Sequence, residues 1–160
     1  MMAAVRRTQP AFFLTLALSI IWTFAAQAKT ITIDDSGTQA LEPTVALRWK
    51  TATPSRSPAS NLMVGTTTLR VRLNVAPWWR RSGRIYLNLP VQMPGPITAS
   101  WIAQGRFLPG AVRSGNRMLL YAGPISTPVL EDVLKLQFSV DGTLIRRAFP
   151  VTFHFEMEEN

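Results

Sequence analysis

An all-β sandwich is the fold class that this sequence predicts, and three observations predict it. Apolar and polar residues alternate with period two over several short stretches. Proline and glycine interrupt the chain at roughly 8- to 15-residue intervals. No window of a dozen residues carries apolar side chains at helical spacing. Period two with one apolar face marks half-buried antiparallel strands, because successive side chains of a strand point to opposite faces of its sheet.

The expected strands are 30–33, 45–50, 67–75, 84–89, 97–102, 118–122, 133–140 and 150–156. In 67–75, Leu69, Val71, Leu73 and Val75 point one way and Arg70, Arg72 and Asn74 the other. In 133–140, Leu134, Leu136, Phe138 and Val140 oppose Val133, Lys135, Gln137 and Ser139. In 150–156, Val151, Phe153 and Phe155 oppose Thr152, His154 and Glu156. Pro54, Pro77, Pro90, Pro109, Pro124, Gly83, Gly95 and Gly115 lie between the runs, and Asp141-Gly142 suits a tight turn directly after a strand. Residues 51–61 form a polar loop inside the domain, and no internal repeat is present. Seven or eight short strands in about 130 residues read as an immunoglobulin-like β-sandwich, although the Cys…Trp…Cys signature of true immunoglobulin domains is absent.

The chain has 160 residues, and its first 28 are expected to be a cleaved secretory signal peptide rather than part of the fold. Arg6 and Arg7 give a positive start, residues 11–28 carry no charge, and Ala26-Gln27-Ala28 places small residues where signal peptidase reads them. An uncleaved membrane anchor is the alternative, since 18 apolar residues just span a bilayer. Residues 29–160 would then form one domain with no membrane span of its own. Losing Arg6 and Arg7 leaves fifteen Lys+Arg against nine Asp+Glu, a net charge of +6. A domain of that size buries about two-thirds of its unfolded surface, enough for one core.

Composition excludes several chemistries. There is no Cys and only one His, so thiol catalysis, Cys-based metal sites and any relay or metal site needing two imidazoles are ruled out. His154 falls on the polar face of its strand and reads as a surface histidine. Asp34-Asp35 and the acidic run 156–159 lie near the ends of residues 29–160 and read as solvated segments. No G-x-S-x-G elbow and no phosphate-cradling loop occurs. No catalytic set and no cofactor are expected.

One cluster interleaves aromatic rings and guanidiniums: Trp78, Trp79, Arg80, Arg81 and Arg84. Such a surface binds anionic glycan or lipid headgroups through charge and stacking. The alternative is a strand-end loop whose Trp rings cap the sandwich and whose Arg side chains keep it soluble. Fourteen Arg and three Lys are spread over several strands, so no focused stripe for nucleic acid exists.

Three further motifs carry a family resemblance. They are Lys29-Thr30-Ile31-Thr32-Ile33-Asp34, then Pro43-Thr44-Val45-Ala46-Leu47-Arg48-Trp49, then Leu89-Pro90-Val91-Gln92-Met93-Pro94 followed by Ile97-Thr98-Ala99-Ser100-Trp101. Their order resembles the pilins of alpha-class (class 5) chaperone–usher fimbriae, of the colonisation-factor-antigen type, over residues 29–105. The Trp78–Arg84 cluster and the charged end at 156–160 depart from that family, which leaves a major or a minor subunit open. The resemblance implies an incomplete sandwich completed by a donor strand. It also implies a periplasmic pilus chaperone, an outer-membrane usher and other pilin subunits as partners, and a final place in a fimbrium on the cell surface. Thr30, Ile31, Thr32 and Ile33 would be the donor strand, with Ile31 and Ile33 two apart on one face. The same four residues read equally as the first strand of the chain's own sheet.

Cleavage after Ala28 makes a direct prediction. N-terminal sequencing of the exported protein should begin at Lys29, and material still beginning at Met1 would mark an anchored protein instead.

Overall fold

The structure is a computed structural model that describes residues 29–51, 61–91 and 95–159. The expected signal segment with Ala26 and Ala28, most of the polar loop and the Gln92-Met93-Pro94 part of the third motif lie outside those residues. Among the described residues there are ten strands: β1 (Thr30–Thr32), β2 (Gln39–Ala40), β3 (Arg48–Trp49), β4 (Leu62–Asn74), β5 (Ser82–Leu89), β6 (Ile97–Ala103), β7 (Gly110–Arg113), β8 (Asn116–Pro124), β9 (Val129–Asp141) and β10 (His154–Glu159). They form two antiparallel sheets, an all-β sandwich. One sheet runs β1-β10-β5-β8. The other runs β2-β4-β9-β6-β7, with β3 also paired to β4. No helix among the described residues is long and apolar enough to cross a membrane.

The alternation in sequence becomes the inner faces of the sandwich. Leu69, Val71 and Leu73 of β4 and Leu134, Leu136, Phe138 and Val140 of β9 are buried, while Arg70, Arg72, Lys135 and Gln137 project outward. From the opposing sheet, Ile85, Leu87, Leu89, Leu120, Phe155 and Met157 are fully buried. Each such side chain contributes about 1.5–3 kcal/mol. β4, β8 and β9 run longer than expected from the sequence. β2 and β7, two and four residues long, were not expected, because strands that short show no period.

The two lateral sides of the sandwich are closed differently. On the β7/β8 side, residues 104–109, which join β6 to β7 of the larger sheet, reach over to β8 of the smaller one. Asp132, buried on the inner face of β9, accepts hydrogen bonds from the backbone N–H of Phe107 (2.8 Å) and of Val133 (2.7 Å). Trp101 Nε1 donates to the Leu108 carbonyl, and the Leu108 N–H donates to the Leu120 carbonyl. Gly105 lies close over that carboxylate: a Cβ there would stand 2.9 Å from Asp132 Oδ1.

On the opposite side the expected strands are only partly formed. Of 45–50, only Arg48–Trp49 pairs with β4. Of 150–156, only the end from His154 onward is in a ladder, and that strand continues to Glu159. The acidic run 156–159 is therefore a strand and not a solvated tail, because Phe155 and Met157 between its polar residues are core.

Asp132→Ala would orphan two backbone N–H groups. An unsatisfied buried donor costs about 1–3 kcal/mol. The variant should lower the urea midpoint of the soluble protein accordingly and lose amide-exchange protection at Phe107, with the β4–β9 amides still protected.

Candidate functional site

An apolar groove of about 840 Å³ opens on the β1/β2 side, between the two sheets. Its floor is the inner face of the larger sheet at Leu69, Leu136, Phe138 and Val140. One wall carries Val45 and Leu47, the other Ile145, Phe149, Val151 and Phe153. These wall residues are half-buried against the core. Phe153 stacks on Phe138 with ring centroids 6.0 Å apart.

The first wall arises from a register change. Gln39 and Ala40 face Arg70 and Leu69, and further on Arg48 and Trp49 face Val64 and Met63. Seven residues between Ala40 and Arg48 thus oppose four between Leu69 and Val64, an excess of three. The Leu41 N–H still donates to Thr68, and the Thr67 hydroxyl donates to the Glu42 carbonyl. After Glu42 the chain leaves the ladder and passes over Gly65, where a Cβ would stand 2.6 Å from Val45 and 3.0 Å from the Ala46 carbonyl oxygen. Only a residue without a side chain admits that approach.

The second wall precedes β10. Phe149, Val151 and Phe153 are half-buried while Pro150, Thr152 and His154 are exposed. That is strand-like alternation, yet 149–153 belong to no ladder. The groove is thus bounded by two strand-like segments whose apolar side chains line it, with no strand between them among the described residues.

The four residues expected as a donor strand lie next to this groove. Thr30, Ile31 and Thr32 pair antiparallel with Glu158, Met157 and Glu156 of the chain's own β10, and the Ile33 N–H donates to Phe155. Ile31 is half-buried and Ile33 only 2% exposed. In the single chain they are therefore an intrachain edge strand, the second of the two readings that the sequence left open. At Asp34 the chain crosses to the other sheet through a bridge to Asn74. The Ser36 N–H hydrogen-bonds Asp34 and holds its carboxyl below the usual carboxylate range.

The aromatic–basic cluster is not one surface. Trp78 is buried and donates from Nε1 to Glu159 at 2.7 Å. Arg81 pairs with Glu159 and Arg84 with Glu158. Only Trp79 and Arg80 remain as an exposed pair, the guanidinium carbon 4.7 Å from the ring centroid, with Arg80 at φ 64°. Arg117 adds contacts to Glu156 and Glu158 and covers the Tyr86 ring. The sequence missed this matching of β10 carboxylates with arginines of β5 and β8, because antiparallel register alone brings them together. His154 is exposed, and no group of three or more metal-ligating side chains occurs among the described residues.

No family model, curated protein or solved structure matches this chain.

Replacing Arg80, Arg81 and Arg84 together by Gln should be nearly neutral. Exposed ion pairs contribute about 0–1 kcal/mol each, so thermal unfolding should shift by only a few degrees. No salt-sensitive binding to anionic glycan or vesicles should be lost. Binding that vanished in the triple variant would make this end of the sandwich a ligand site.

Proposed function

We propose that this chain is a non-enzymatic structural subunit, major or minor, of a bacterial surface fimbria assembled by donor-strand exchange along a chaperone–usher pathway. The observation that supports the proposal is the apolar groove between the two sheets, walled by 43–47 and 149–153, which we read as the place of a missing strand. An added strand between these walls would gain main-chain hydrogen bonds, and its alternate side chains would fill the apolar space, which is the physics of β-augmentation. The order of the three sequence motifs, which resembles that of alpha-class pilins, points to the same partners: a periplasmic chaperone that fills the groove first, an outer-membrane usher and the next subunit. A second reading, a secreted β-sandwich that binds anionic glycan or lipid, rests on the exposed Trp79–Arg80 pair alone.

The test is co-expression with a candidate periplasmic chaperone. The wild type should form a soluble one-to-one complex. Val45→Asp with Leu47→Asp puts charge on the groove wall, where burying it unpaired is strongly unfavourable, and should abolish that complex. A chain that lacks residues 29–35, and with them the core residue Ile33, but still folds and binds the chaperone should fail to polymerise. A wild type that is monomeric, soluble and indifferent to the chaperone would overturn the proposal.

A further inference from the structure

The groove lining is mostly apolar, but it carries Glu42 on one wall and, between Ile145 and Phe149 of the other, Arg146 and Arg147. Both arginines are exposed, and neither forms an ion pair among the described residues, which is also true of Arg48, Arg70, Arg80, Arg106 and Arg113 away from the groove. An arginine pair on the wall of a mostly apolar groove is suited to a strand that is apolar in its middle and acidic at one end.

The N-terminal segment has that pattern and, unlike β10, lies at the edge of its sheet. Lys29 to Asp35 reads as a basic residue, the alternating Thr30-Ile31-Thr32-Ile33, and two consecutive carboxylates, Asp34 and Asp35. β1 already shows how this segment meets β10: antiparallel, with its isoleucines turned to the core. The open wall 149–153 is the continuation of β10 beyond the point where β1 stops.

We infer that Arg146 and Arg147 recognise Asp34 and Asp35 of a second copy's N-terminal segment, and so fix the direction and register in which that segment enters the groove. The inference rests on the fimbrial reading above. Suppose the segment keeps the antiparallel direction of β1 and places Ile31 opposite Val151 and Ile33 opposite Phe149. Asp35 then falls opposite Arg147, with Asp34 one residue behind. Both isoleucines face half-buried wall residues, and both carboxylates reach the arginine pair. A parallel entry would instead point the carboxylates toward Glu156 and Glu158 of β10. That like-charge approach is unfavourable. A shift by one residue would turn the isoleucines out of the groove.

Full-length mature chain and synthetic peptides spanning 29–38 provide the test, read by fluorescence anisotropy with a labelled peptide. The native peptide should bind more tightly than the Asp34→Asn, Asp35→Asn peptide by about two- to thirtyfold, the range for two exposed ion pairs. The advantage should shrink as salt rises. Arg146→Gln with Arg147→Gln should erase the difference between the peptides. Arg146→Glu with Arg147→Glu should reverse it toward a peptide carrying Asp34→Lys and Asp35→Lys. Equal binding of native and Asn peptides to the wild type would overturn the inference while leaving the groove as a strand site. No peptide binding, with the chaperone complex still forming, would also overturn it and would leave the fimbrial reading standing. Loss of both would remove the two together.

Discussion

Thirteen consecutive antiparallel pairs join β4 to β9, from Leu62 opposite Asp141 to Asn74 opposite Val129. This ladder decides which way every side chain of the larger sheet points. Leu69 faces Leu134, Thr67 faces Leu136 and Gly65 faces Phe138, all on the inner side. A slip of one residue would carry Arg70, Arg72 and Lys135 into the core and expose the leucines, so the register is held by burial on one face and charge on the other. β6 is aligned on the far side of β9, with Ala99 opposite Phe138 and Trp101 opposite Leu136.

Two sheets leave two lateral openings, and the chain treats them differently. One is covered by its own 104–109 segment, held by the Asp132 carboxylate and Trp101 Nε1. A buried carboxylate is tolerated there because two backbone N–H groups satisfy it. At the other opening the described residues supply apolar walls and no strand between them. The three-residue excess between β2 and β3 lifts Val45 and Leu47 away from the ladder, and Gly65 gives them room. Half-exposed branched and aromatic side chains lining a groove of this size form the kind of apolar surface that marks an interaction site in a folded protein.

The charge of the chain, +8 in full, is not spread evenly in its effects. Carboxylates on β10 face Arg84 of β5 and Arg117 of β8 across neighbouring strands, which quiets the basic character of the smaller sheet's outer face. Glu131 does the same for Arg72 on the larger sheet. Other arginines form no ion pair among the described residues, among them Arg80 stacked on Trp79 and the Arg146–Arg147 pair on the groove lining.

The all-β class and most of the core were legible in the sequence. Period-two alternation is a local property, and Leu69 to Leu73 and Leu134 to Val140 display it without reference to any partner. The residues around the groove were legible only as strand candidates. Residues 45–50 and 150–156 have the alternation of strands, yet mostly stand outside ladders, because pairing requires a neighbouring strand and alternation alone does not supply one. Tertiary structure alone decided that Trp78 is core while Trp79 is surface. It also decided that Glu156, Glu158 and Glu159 answer arginines about 40 to 80 positions away, and that Thr30–Ile33 lies on β10. Each of these depends on register between strands distant in the chain, and a sequence read position by position contains the side chains that meet but not the pairing that makes them meet.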